Sequence, residues 1–180
     1  MEKIENVFEN GILKSKGLLR NGQKTGLWLF YFESGKIEME INFQNGFMHG
    51  FFKRWFENGK LAVECEHEDG KPVGCCREYC NDGTLKEEGR YEEDKYKILN
   101  FWNWRGENTL VNGTGFRIEA YGFGGVDLFK QVFENSIKIS EEQIHSGRNG
   151  LMNGYSAKNI NGETYYKDKS GDVIWKDLNI

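Results

Sequence analysis

The sequence predicts an all-β protein: an elongated antiparallel sheet of stacked β-hairpin repeats with a period of about 24 residues. Three observations predict it. Glycines recur in register, with Gly11, Gly35, Gly59 and Gly83 24 residues apart and Gly22, Gly46 and Gly70 keeping the same step. Side chains follow the glycines, giving the columns Phe8/Phe32/Phe56/Cys80, Tyr31/Trp55/Tyr79 and Leu13/Ile37/Leu61/Leu85. Between the glycines, apolar and polar residues alternate with a period of two, as they do on a half-buried strand.

The first copies are the clearest. "GLWLFYFES" (26–34) and "GFFKRWFEN" (50–58) are rich in aromatics that suit a pleated surface. Each is followed by an alternating strand. Ile37, Met39, Ile41 and Phe43 alternate with Glu38, Glu40 and Asn42; Leu61, Val63 and Cys65 alternate with Ala62, Glu64 and Glu66. That pattern predicts one dry face and one wet face. The turns are marked by Asn-Gly at Asn10, Asn21, Asn45, Asn58, Asn112, Asn149, Asn153 and Asn161, and by Asp-Gly at Asp69 and Asp82. Such pairs supply the positive-φ positions of tight hairpins. A helical reading would bury glycines in helices at about 1 kcal/mol each. One hairpin cannot bury its apolar face alone, so repetition is the route to a core.

Residues 1–93 carry the regular repeats, and residues 94–180 read as degenerate repeats with an insert and a C-terminal capping strand. In the fourth unit, "YEEDKYKILNFWNWRG", one deletion places Trp102 in the Trp55 column and Gly106 in the Gly59 column. After Asn112-Gly113, the alternation of Phe116, Ile118 and Ala120 marks another hairpin. Residues 126–145 admit a helix, with Phe129, Val132, Phe133 and Ile137 on one side, but strand is preferred because "FENS" (133–136) echoes "FENG" (8–11 and 56–59). Residues 173–178 end the chain as an edge strand.

Composition narrows the function. Of 180 residues, 38% are hydrophobic and 14% aromatic, with 23 glycines and one proline, and the net charge is −4. There is no basic footprint for nucleic acid, and an acidic chain is a poor match for an anionic membrane. No signal-length or membrane-length apolar run is present, so the expected location is cytoplasmic.

Few residues point to chemistry. Cys65, Cys75, Cys76 and Cys80 lack a Cys-x-x-Cys zinc spacing. Each stands in an apolar column (Ile41, Leu27/Phe51, Trp28/Phe52 and Phe32/Phe56), so core filling is expected over a metal site or a disulfide. His67 replaces Phe43 in an apolar column and reads as an inward, satisfied histidine. No nucleophile motif accompanies any histidine. Neither catalytic residues, metal nor cofactor are expected. The binding candidates are the wet-face column Glu40, Glu64 and Glu88, read either as a solubilising surface or as an acidic strip for a basic partner. Trp55, Trp102 and Trp104 are read as core or as aromatic anchors.

The copies "NGQKTGLWLFYFESGKI", "NGFMHGFFKRWFENGKL" and "DGKPVGCCREYCNDGTL" resemble the bacterial variant of MORN repeats, and "WNWRGENTLVNGTG" resembles an insert found in such proteins. The resemblance implies a sheet that serves as a binding surface. Its bacterial relatives are often described as antitoxin or immunity components, which implies a protein partner, a toxin encoded by a neighbouring gene. The alternative it implies is a structural or membrane-attachment module that organises an assembly.

Overall fold

The computed structural model describes residues 1–103, 105–121, 127–146, 150–151, 156–160, 163–167 and 173–177, with side chains over 1–103, 105–118 and 128–143. The described residues form strands joined by turns, as the repeat pattern predicts. In chain order these are β1 (Glu2–Val7), β2 (Leu13–Arg20), β3 (Gln23–Tyr31), β4 (Ile37–Gln44), β5 (Phe47–Trp55), β6 (Leu61–Glu68), β7 (Lys71–Tyr79), β8 (Leu85–Glu92), β9 (Lys95–Trp102), β10 (Asn108–Val111), β11 (Thr114–Tyr121), β12 (Asp127–Glu134), β13 (Ile137–Ser146), β14 (Gly150–Leu151), β15 (Ser156–Ile160), β16 (Glu163–Lys167) and β17 (Val173–Asp177). Among the described residues, no helix is long and apolar enough to cross a membrane. The chain falls into two compact units, Met1–Lys97 and Ile98–Ile180.

In the first unit, β1 to β8 lie side by side in sequence order, each antiparallel to the next. Two kinds of turn alternate. Asn21-Gly22, Asn45-Gly46 and Asp69-Gly70 have positive φ at both residues, the two-residue hairpin turn whose twist matches that of paired strands. At the opposite rim the turns are wider. Phe56 N–H donates to Lys60 O at 2.8 Å, Gly59 N–H donates to Phe56 O at 2.8 Å, and the same pair of bonds recurs at Phe8, Phe32 and Cys80. Successive turns are also tied together: Gly46 N–H donates to Lys24 O at 3.0 Å, and Gly70 N–H donates to Met48 O at 2.8 Å. The repeat therefore stacks through its turns as well as its strands.

The core of this unit is a line across the sheet. Trp28, Ile41, Phe52, Cys65, Cys76 and Gly89 are successive cross-strand partners on one face. Trp28 is only 3% exposed. Its ring lies flat over Gly17, where a Cβ would meet the ring at 2.2 Å, and its indole N–H donates to Leu18 O at 3.1 Å. Phe43 meets it edge-on at 6.3 Å and the Lys24 ammonium sits 4.6 Å from its centroid. At the other end of the line, Tyr96 covers Gly89 in the same way and donates its hydroxyl to Glu87 at 2.8 Å.

This face is not uniformly apolar. The Phe30 column continues as Arg54 and Glu78, and Arg54 reaches Glu38 at 3.5 Å while Lys86 reaches Glu78 at 2.7 Å. The expectation of one dry and one wet face therefore holds for Met39, Ile41 and Phe43 of β4 and for Val63 and Cys65 of β6, but not for Ile37 and Leu61, which a register shift pairs with Tyr31 and Trp55, and it fails for β5 and β7, whose side chains do not alternate strictly in polarity.

In the second unit, β9 to β14 follow one another antiparallel, and β15 to β17 form a separate three-stranded sheet. Ile98, Phe101, Leu110 and Phe133 make its buried cluster. Gly106 occupies the Gly59 turn position, as its column predicts, with Asn103 N–H bonded to Glu107 O. Of residues 126–145, Asp127–Glu134 and the stretch from Ile137 on are strand, not helix, in β12 and β13, and residue 126 lies outside the described residues. The "FENS" echo nevertheless misleads about the turn: Asn135-Ser136 takes the tight two-residue form with both φ positive, and Phe133 is a buried strand residue rather than a turn-rim residue. Val173–Asp177 is a terminal strand, but of the three-stranded sheet.

Candidate protein-binding surface

The opposite face of the first unit carries the predicted glutamates. The antiparallel register aligns one residue from each strand: Glu5, Lys16, Leu29, Glu40, Lys53, Glu64, Arg77 and Glu88 are successive cross-strand partners. The glutamates of β4, β6 and β8 are thus separated by the basic residues of β5 and β7. Directly opposed unlike charges are favourable and like charges are not, so this order stabilises the pairing.

Arg77 holds the β6–β8 end together. Its Nε donates to Glu88 Oε1 at 3.0 Å, and Nη1 reaches Glu64 Oε1 at 3.4 Å. The Tyr79 hydroxyl donates to that same Glu64 oxygen at 2.9 Å. The bond to Glu88, then that to Glu64, raises the Arg77 pKa above its ordinary value, against desolvation. Burial first, and the bond to Glu64 second, raise the Tyr79 phenol. The predicted column is therefore a zip of alternating sign, not a bare acidic strip. The sequence signal for it is the companion column Leu29/Lys53/Arg77, also 24 residues apart, together with Lys16 one period before Glu40.

Beside the charges runs a row of rings. Tyr31, Trp55 and Tyr79 follow the same register shift in each repeat and pair with Ile37, Leu61 and Leu85. Contacts place the row on the charged face: the Lys16 ammonium lies 5.6 Å from the Tyr31 centroid, and Tyr79 bonds Glu64. All three rings are half-buried. On the other side of the charges, Leu27 is 48% and Phe51 60% exposed, and Cys75 in the same column is exposed.

Of the sequence candidates, then, Glu40, Glu64, Glu88 and Trp55 share one face. Trp102 belongs to the second unit, half-buried and paired with Asn108. Trp104 lies outside the described residues.

The cysteines depart from the expectation of common core filling. Cys65 and Cys76 are buried, direct cross-strand partners 4.3 Å apart at Cα, and their sulfurs are joined as a disulfide. The apolar columns of the four cysteines pointed to core filling instead; the repeat itself creates the bond, by placing two cysteines opposite one another where the neighbouring hairpin has Ile41 and Phe52. Cys80 is half-buried, and Cys75 is exposed because its whole column faces outward. No group of three or more His, Cys, Asp or Glu side chains among the described residues is placed to hold a metal ion. His67 does point inward, with Phe52 edge-on at 5.9 Å. Its Nδ1 has no hydrogen-bond partner among the described residues, and burial lowers its pKa against a smaller opposing effect from the Cys65 backbone.

Residues 24–45 and 48–69 match the family model described as MORN repeat variant. Each match covers one hairpin, β3–β4 and then β5–β6. No curated protein matches the chain. Over residues 24–69 the protein is similar to MORN-repeat proteins in sequence and is built, in two consecutive hairpins, as a repeat scaffold of that type.

Proposed function

We propose that this chain is a non-catalytic, cytoplasmic scaffold that binds another protein, and that its specific role is that of an antitoxin or immunity protein. It occludes a toxin encoded by a neighbouring gene by shape and charge, without chemistry of its own. The observation that carries the reading is the charged face of β2–β8. Half-exposed rings and the outward Leu27 and Phe51 flank a line of opposed charges, an arrangement of apolar anchors beside polar groups that suits recognition of a protein surface. Glu40, Glu64, Glu88 and Trp55 are assigned to this contact. The antitoxin role itself rests on the resemblance of the repeats to bacterial MORN variants.

The test is capture of the neighbour-encoded protein by the tagged chain, followed by co-expression. Rescue of growth by the wild type, and its loss with Trp55→Ala or Glu64→Lys/Glu88→Lys, is the expected result. Absence of capture, or rescue by all these variants when folded, refutes the reading. Trp102→Ala serves as a separate variant for the second unit.

A further inference from the structure

Strand β1 lies at one side of the first sheet, with β2 as its one neighbour among the described residues. An edge strand offers its outer row of backbone N–H and C=O groups as a template for another strand. The side chains of β1 state which strand fits. Ile4 stands in the Trp28/Phe52/Cys76 column, opposite Gly17, and is half-buried. Lys3 and Glu5 flank it, two residues apart and therefore on one face, the charged one, and both are exposed. Glu5 begins the row of alternating charge, with Lys16 opposite it on β2, while Lys3 faces Leu18. The Lys16 ammonium lies against the Tyr31 ring at 5.6 Å, and neither Glu5 nor Lys3 makes an ion pair among the described residues. Further along the row Glu64 has a cation on either side, Lys53 and Arg77. A cation on the outer side of Glu5 would continue that order.

A second copy of the chain supplies one. Directly opposed side chains of an antiparallel pair share a face, so a two-fold pairing of β1 with itself must be centred on a residue. Centred on Glu2, Lys3 or Glu5, it sets like charges opposite one another. Centred on Asn6, it pairs only residues 5–7 of the strand. Centred on Ile4, it sets Ile4 opposite Ile4, Lys3 opposite Glu5, Glu2 opposite Asn6 and Met1 opposite Val7. Met1 is 92% and Val7 60% exposed, so this register also covers two bare apolar side chains. The strand is thus complementary to itself in one register, as a two-fold contact requires.

We infer that β1 is a dimerisation edge, to which a second copy of this chain adds its own β1 antiparallel, in the register centred on Ile4. The axis stands perpendicular to the sheet at the contact, so the charged faces of both copies lie on the same side and join into one surface. The inference goes beyond the proposed binding role and holds whatever protein that surface engages. Two six-residue strands make a small contact, so the dimer is expected to be weak, dissociating above about 1 µM.

The experiment is sedimentation velocity on the full chain over a series from about 1 µM to about 1 mM, the span of weak complexes. The wild type is expected to pass from monomer to dimer. Lys3→Glu and Glu5→Lys each set like charges opposite in both halves of the contact, and each should weaken the dimer at least about tenfold. An equimolar mixture of the two variants opposes unlike charges again, and should recover dimer to within about threefold of the wild type. Circular dichroism checks that each variant is folded. Lys3→Glu/Glu5→Gln, expected to associate about threefold more tightly than Lys3→Glu alone, keeps the test decisive if Glu5→Lys does not fold. A wild type that stays monomeric, a dimer that the single variants leave intact, or a mixture that associates no better than its components overturns the inference. None of these measurements involves the neighbour-encoded protein, so failure here is distinguishable from failure of the binding role.

Discussion

Gly17→Ala is expected to destabilise the first unit by a net of about 1.5–2.5 kcal/mol, although a strand glycine replaced by alanine ordinarily gains about 0.5–1 kcal/mol. The sign is set by Trp28. A Cβ at position 17 would stand 2.2–2.5 Å from three atoms of the indole, with no positive φ at this glycine to add backbone strain. The ring must therefore lift. A tryptophan buries about 150–250 Å², which at about 25 cal/mol per Å² corresponds to roughly 4–6 kcal/mol as an upper bound. Lifting the ring by a third of that contact loses about 1.5–2 kcal/mol, and losing the indole bond to Leu18 adds about 1 kcal/mol. The measurement is urea unfolding followed by circular dichroism for wild type, Gly17→Ala, Trp28→Ala and the double variant. Trp28→Ala alone should cost about 3–5 kcal/mol. In its background Gly17→Ala should cost less than about 0.5 kcal/mol, because the two effects act on one contact. Additive losses, or a Gly17→Ala variant as stable as the wild type, refute the argument that the ring and the glycine are a single packing unit.

Replacing His67 by phenylalanine, the residue of its repeat column, should flatten the acid side of the stability profile. Burial depresses the folded-state pKa of His67. Its contribution is therefore present above the unfolded value of about 6.5 and lost as pH falls through the lowered folded value. Melting temperatures at pH 7.5 and 5 should fall further apart in the wild type than in His67→Phe; identical differences count against the inward placement. At Glu93-Asp94 both residues adopt positive φ without a glycine. Asp94→Gly should stabilise by about 0.5–1 kcal/mol, reduced by the loss of the exposed Lys71–Asp94 pair at 2.7 Å; a lower urea midpoint would contradict it. Thiol titration of unreduced, denatured protein should find two reactive cysteines, Cys75 and Cys80, and four after reduction; four before reduction would exclude the Cys65–Cys76 bond.

The repeat, its strands and its tight turns were legible in the residues, because each is a local property. Glycine or asparagine at a positive-φ position and a period-two pattern state their conformation within one hairpin. For residues 126–145 a helix stayed open and strand was preferred only on the echo of "FENG" in "FENS"; β12 and β13 are strands, but the echo was not a reliable guide to the turn, since the two stretches close different turns. The charged column was only half read: Glu40, Glu64 and Glu88 were visible as a line, but their partners lie on other strands, and a column is not an interface until register sets what stands beside it.

By itself, the sequence determined that the chain is an array of hairpins and where each one bends, because those choices are made by backbone sterics and side-chain alternation over a few residues. Tertiary structure alone decided that Lys53 and Arg77 interleave the glutamates, that Trp28 lies on Gly17, that Cys65 faces Cys76, and that Leu27, Phe51 and Cys75 look outward. Those outcomes depend on cross-strand register and on bulges that turn the strands, which bring together residues 11 or more positions apart.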